Sequence, residues 1–390
     1  MRKPLLVALP ATLLLATPLL SACTENTDGG GDSSDPRTVS VTSTDDGCEL
    51  SSTDAPSGTL TFDVTNEGSK VTEFYLLGSD GLRIVGEIEN IGPQLSRQLV
   101  VSAPEGSYVT ACKPGMKGDG IRGDFTVSKS AEEPSVSADD QQLVDQATKN
   151  YQVYVRDQAD QLLVATQEFV SDYKAGKDDE ARALYPQARM FYERIEPVAE
   201  SFGDLDPKLD LRETDLEEGQ KWTGWHRIEK DLWPESDPSY KTLSTAERAT
   251  YGDDLLANTR KLDARVQKST YTVDQIANGA RGLLEEVAKS KITGEEENWS
   301  HTDLWDFQAN VDGARVAFEG VKPIVEQKDP ALAKSLTERF AAVQALLDAQ
   351  KDGDGWTVYT DLSQDEVQQF SNAVNALSEP LSKLTAAVLS

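Results

Sequence analysis

Two histidines, His226 and His301, are all that these 390 residues contain, and that scarcity limits the chemistry. A zinc hydrolase site takes two His and a carboxylate, or three His, and a blue-copper site takes two His and a Cys. His226 stands three residues before Glu229 in the run 222–233 (WTGWHRIEKDLW), so on a helix the two share a face. Upstream, Glu193 and Glu196 repeat that spacing with two carboxylates. Inward Glu and Glu-x-x-His pairs on facing helices are how helical bundles hold iron or manganese. The bland alternative is a pair of solvated helix faces, with His226 making one hydrogen bond in the core. His301 has Asp303 two residues on, off its helical face. It reads as structural, with Ser300 or Thr302 capping the next helix.

The cysteines are Cys23, Cys48 and Cys112. Cys48 and Cys112 could close a disulfide over about 65 residues, worth roughly 4 kcal/mol in the chain-entropy description. The rival is a metal site of two thiolates with a carboxylate such as Glu73. Met116 follows Cys112 at the spacing of a cupredoxin ligand loop that lacks its His. The Asp352-Gly353-Asp354-Gly355 turn hints at calcium but lacks the sixth-position Gly and twelfth-position Glu of an EF-hand loop.

The elements that must position these residues change period along the chain. Residues 5–20 are nearly all apolar behind Arg2 and Lys3, too short to span a membrane, and read as an export signal. The signal ends in Leu20-Ser21-Ala22-Cys23, which resembles the lipobox of bacterial lipoproteins, so residues 1–22 are expected to be removed and Cys23 lipidated. Residues 23–36 form a polar tether. Over 37–130 apolar residues alternate, as at Leu60, Phe62 and Val64, between Gly/Pro/Asn/Asp clusters, which predicts about seven short strands in a β-sandwich. After a polar linker at 131–140, the spacing of Ala159, Leu162, Leu163, Thr166, Phe169, Val170 and Tyr173 is helical. About eight helices are expected over 141–390, enough for two packed bundles. Capping boxes start helices at Ser244/Glu247, Thr272/Gln275 and Ser363/Glu366, and Asp329-Pro330 marks another start.

The net charge is −29, and residues 131–390 hold 28 basic against 50 acidic side chains. A polyanion repels phosphate backbones, so nucleic acid is not a fitting partner, whereas cations are drawn to carboxylate-lined clefts.

Three stretches carry a resemblance to a known family. Residues 223–230 (TGWHRIEK) look like the His-x-x-Glu segment of the imelysin-like proteins, historically grouped with peptidases; residues 192–200 (YERIEPVAE) also match. Residues 291–296 (KITGEE) with 300–313 (SHTDLWDFQANVDG) resemble the EfeO branch. The resemblance implies a cupredoxin-like β-sandwich followed by an all-α imelysin-like domain of two helical bundles. It also implies an exported, lipid-anchored protein that binds iron outside the cytoplasm and delivers it to an EfeU-like membrane permease, beside an EfeB-like haem peroxidase. Carried over residue by residue, it implies a metal site of His226, Glu229, Glu193, Glu196, Asp210 and Glu286, with Glu285 as the alternative to Glu286. In the sandwich it implies a second metal, copper or iron, at Cys48, Glu73 and Cys112, with Glu87 and Glu89 nearby. A carboxylate-rich site with one imidazole suits Fe(III), and less selectively Fe(II), Mn(II) or Zn(II). It should release its ion as pH falls toward the carboxylate range. Two other readings stay open: a metallopeptidase, against which no His-Glu-x-x-His occurs, and copper-assisted oxidation of Fe(II) by the sandwich.

Overall fold

The computed structural model describes residues 35–389 apart from 80, 82–83, 131–137, 200–202, 217–218 and 290. The export signal, Cys23 and most of the tether and linker lie outside the described residues.

Among the described residues nine strands build the first domain in two sheets. One sheet has the order β2 (Cys48–Leu50), β1 (Thr38–Ser43), β4 (Gly58–Asn66), β7 (Ser96–Ala103). The other runs β3 (Asp54–Pro56), β9 (Ile121–Ser128), β8 (Gly106–Cys112), β5 (Thr72–Gly78), β6 (Ile84–Ile91). The alternation in β4 sends Leu60, Phe62 and Val64 into the space between the sheets, where Phe62 meets Phe74 and Phe125. Strand β5 is buried on both faces, because Tyr75 and Leu77 pack with Ala111 on the outer side; its sequence therefore does not alternate. Cys48 and Cys112 are bonded to each other and staple one sheet to the other.

The second domain is helical: α1 (Ala138–Ala175), α2 (Asp178–Glu193), the single turns α3 (Glu196–Ala199) and α4 (Asp206–Leu209), α5 (Trp225–Leu232), α6 (Thr245–Val266), α7 (Val273–Lys289), α8 (Asp303–Lys328), α9 (Pro330–Ala349), α10 (Gln364–Leu381) and α11 (Leu384–Leu389). The calcium-like turn is the bend of a small hairpin, β10 (Lys351–Asp352) with β11 (Gly355–Trp356). Ser244 and Ser363 both form full capping boxes, and Asp329 accepts from the Leu332 amide. Helices α1, α2 and α6 form one group and α7, α9 and α10 another; α8 touches members of both, and one continuous apolar core runs through them. Helix α8 is buried on nearly every side, as a helix shared between two groups must be.

Helix α7 also closes the sandwich. Asp274, Asn278, Arg281 and Glu285 lie along one stripe of it. Asp274 accepts from the Ser102 amide at 2.8 Å, Asn278 donates to the Val100 carbonyl at 2.8 Å, and Arg281 donates to the Gln98 carbonyl at 3.1 Å. Glu285 pairs with Arg97 at 2.6 Å. These side chains satisfy the outward backbone groups of β7, an end strand of its sheet.

Candidate metal centre

The helical domain places its acidic residues around a buried guanidinium. Arg189 and Glu193 are one turn apart on α2, and both are wholly buried. Arg189 pairs with Glu193, Asp210, Glu296, Glu297 and Asp306. Asp306 comes from α8, where Asp303, Asp306 and Asn310 share a face. Glu296 and Glu297 come from the loop between α7 and α8.

His226 enters from the first turn of α5. Gly224, immediately before that helix, has φ +89°, and a Cβ there would collide with the carbonyl of Leu209. That close approach sets Asp210 beside the imidazole. We expect Gly224→Ala to lower stability by about 1–3 kcal/mol and to weaken cation binding by separating Asp210 from His226. Chemical denaturation and a metal titration check the two effects.

The imidazole is fully buried. Its Nδ1 lies 3.3 Å from Glu229 Oε2, and the other Glu229 oxygen accepts from the amides of Trp299 (2.9 Å) and Ser300 (2.7 Å). One Glu229 oxygen thus faces the ring while the other is held by the backbone of the loop before α8. His226 Nε2 has no hydrogen-bond partner and faces Asp210 Oδ1 at 3.5 Å and Glu296 Oε1 at 3.6 Å. The ligand atoms of Asp210, His226 and Glu296 all lie within 4.8 Å of one another, as do those of His226, Glu229 and Glu297. A carboxylate that fixes one ring nitrogen and leaves the other toward further oxygens is the usual arrangement behind a metal-ligating histidine.

Electrostatics distinguish the acids. Burial and the Arg189 guanidinium act to lower the His226 pKa, but its contacts with Glu229 and Glu296 and the Asp210 charge outweigh them and carry it up to about 9. Burial holds Glu297 and Asp306 well above the carboxylate range, with neighbouring acids adding to it. Glu296 lies well below that range despite its burial, because Lys291 and His226 stand beside it. Burial lifts Asp303 to about 7 and Asp206 to about 6. Seven carboxylates (Glu193, Glu196, Asp210, Glu229, Glu296, Glu297 and Asp306) thus surround Arg189, Lys291 and His226; burial holds Glu196, Glu297 and Asp306 toward their protonated forms, and a bound cation would favour their ionised ones.

The structure brings His226, Glu229, Glu193 and Asp210 together. Glu196 lies to one side, paired with Lys291; α2 stops at Glu193 and a new turn begins at Glu196, so the two are not on one continuous helix. Glu286 lines a pocket of about 130 Å³ with Glu196, Asp210 and Glu296, whereas Glu285 turns to the sandwich and Arg97. The contributions of Arg189, Lys291, Glu296, Glu297, Asp306 and Asn310 were not singled out from sequence.

In the sandwich the thiolate reading is corrected. The sulfurs of Cys48 and Cys112 are bonded to each other and offer no thiolate. Glu73 accepts from the Tyr75 hydroxyl at 2.8 Å, and Glu87 and Glu89 line a separate pocket with Tyr75 and Lys113. His301 uses its backbone, at φ +56°, donating to Glu297 and accepting from Tyr359. Thr302 occupies the start of α8 without a side-chain cap, since Ser300 and Thr302 hydrogen-bond to each other.

A cupredoxin-like sandwich joined to a mainly helical domain, with a buried imidazole among carboxylates in the second, defines a two-domain architecture. A family model described as Imelysin matches residues 147–384, and one described as Cupredoxin-like domain matches residues 7–127. An "Efem/EfeO family lipoprotein" of Staphylococcus haemolyticus is 42% identical over 270 residues, 68% of this chain and 92% of the relative. One of the same description from Staphylococcus aureus is 44% identical over 243 residues, 61% of this chain and 84% of the relative. The chain belongs to the imelysin family, in its Efem/EfeO lipoprotein branch. A solved structure from Parabacteroides distasonis superposes with a TM-score of 0.49 at 16% identity, covering 67% of this chain and 97% of that one, a likeness too loose to carry argument.

Proposed function

We propose that this protein captures iron outside the cytoplasm in the chamber around His226 and hands it to an EfeU-like permease, with an EfeB-like haem peroxidase in the same system. The observation that carries the reading is the buried His226 Nε2, which has no hydrogen-bond partner and faces Asp210 and Glu296 at 3.5 and 3.6 Å among further carboxylates. In this reading Nε2, Asp210 and Glu296 grip the ion and Glu229 orients the ring. Hard oxygen donors with one nitrogen favour iron over soft ions. Attachment is through lipid on Cys23; no described helix is long and apolar enough to cross a membrane. The family's peptidase heritage finds no second imidazole facing His226 among the described residues.

The pH dependence tests it. Without metal, His226 keeps its proton up to about pH 9, and Glu297 and Asp306 hold theirs above the usual carboxylate range. An ion at Nε2 must expel the imidazole proton, so binding releases protons and tightens as pH rises. The expected slope is about tenfold per pH unit for each proton released, from neutral pH to about 9. The release window therefore opens well above the carboxylate range expected from sequence. Zn(II) affinity measured by competition at several pH values reads this slope. A flat profile sinks the reading.

A further inference from the structure

Lys291 sits where a second cation would. Its ammonium, at the end of a side chain almost wholly buried, lies 2.8 Å from Glu193 Oε2, 2.9 and 2.8 Å from the two oxygens of Glu196, and 3.8 Å from Glu296 Oε1. Four carboxylate oxygens at or near contact make a coordination shell rather than a single ion pair. Asn310, also wholly buried, donates from Nδ2 to Glu193 Oε2 (2.8 Å) and Glu196 Oε2 (2.9 Å), while its own Oδ1 has no hydrogen-bond partner. Asn310 thus ties the two carboxylates of the shell together from one side while Lys291 does so from the other. The neighbouring pocket reaches exposed Asp215 and is lined by Glu196, Glu286 and Glu296, so the ammonium's surroundings communicate with the surface.

The geometry points to Lys291 as a tethered cation that fills the second of two cation positions in the acidic chamber and so fixes loading at one ion per chain. The positions are neighbours, because Glu296 Oε1 is 3.6 Å from His226 Nε2 and 3.8 Å from Lys291 Nζ. One carboxylate faces both, as in carboxylate-rich two-metal sites. An ammonium carries a single charge and cannot leave its chain. It keeps Glu193 and Glu196 assembled while leaving the imidazole side as the exchangeable position. The loading limit rests on the reading of the His226 site given above; the competence of the Lys291 position does not.

Mn(II) is the probe, with loading read by elemental analysis and by electron paramagnetic resonance, and folding by circular dichroism. Wild-type protein is expected to hold one ion. Lys291→Met is expected to hold two, with a signal broadened by the close second spin. His226→Ala combined with Lys291→Met is expected to hold one, unbroadened. Folded Lys291→Met protein that holds no more ions than wild type overturns the proposal, as does wild-type protein holding two. If Lys291→Met does not fold, Lys291→Gln, which keeps a donor but loses the charge, is read by the same counts. Failure of the underlying reading looks different: His226→Ala alone leaves wild-type loading unchanged, and the Lys291 counts still decide the tethered cation.

Discussion

Replacing His226 by Ala together with Glu229 by Gln is expected to lower iron affinity by at least about 100-fold while the helical domain stays folded. The first change removes the nitrogen donor, whose Nε2 faces Asp210 and Glu296. The second keeps the shape of the side chain that supports the Trp299 and Ser300 amides but drops the charge that orients the ring. Loss of such an orienting partner alone typically costs about 10–100-fold in metal affinity, so Glu229→Gln by itself is expected in that range, and loss of the ligand adds to it. Isothermal titration against a competing chelator measures both proteins. Affinity within a few-fold of wild type would remove His226 from the site.

Arg189→Met is expected to destabilise the metal-free protein by about 3–5 kcal/mol, the usual cost of breaking a buried ion pair from one side. The guanidinium answers carboxylates from α2, α8 and two loops, and no water replaces it at a site with no exposure. Without it, the acids around it can stay buried only by taking up protons. Glu297 and Asp306 are already held above their ordinary values by burial, and losing Arg189 raises them further. A carboxylate whose folded pKa exceeds its unfolded pKa costs more stability as pH climbs toward the folded value. The defect should therefore be larger at pH 8 than at pH 5, and a bound ion should narrow it by supplying the missing positive charge. Urea denaturation at both pH values, with and without metal, reads all three trends. A variant as stable as wild type at pH 8 contradicts the placement of Arg189 at the centre of the acids.

The parts of the site legible in the sequence are those set by helical spacing. His226 and Glu229 lie on α5 as their separation predicts. Glu193 and Glu196 approach one another although the helix breaks between them, because Lys291 and Asn310 draw both in. The remainder depended on tertiary structure. The run Glu295-Glu296-Glu297 has the look of a solvated charge cluster, and Glu295 is indeed exposed. Its two neighbours are turned inward by a loop with left-handed backbone at Gly294 and His301, with the Glu297 amide held by Asp303. Arg189 gave only one hint, its one-turn separation from Glu193. The change of period between the domains was plain, but β5 hides it locally, because a strand covered on both faces does not alternate.

The stripe of α7 laid along β7 bears on how the protein should be taken apart. Strand rims left bare invite another copy to add on. Here that rim is occupied by Asp274, Asn278 and Arg281. A fragment consisting of the sandwich alone would lose this cover, and what it did in a test tube, including sticking to itself, would report the cut rather than the parent molecule.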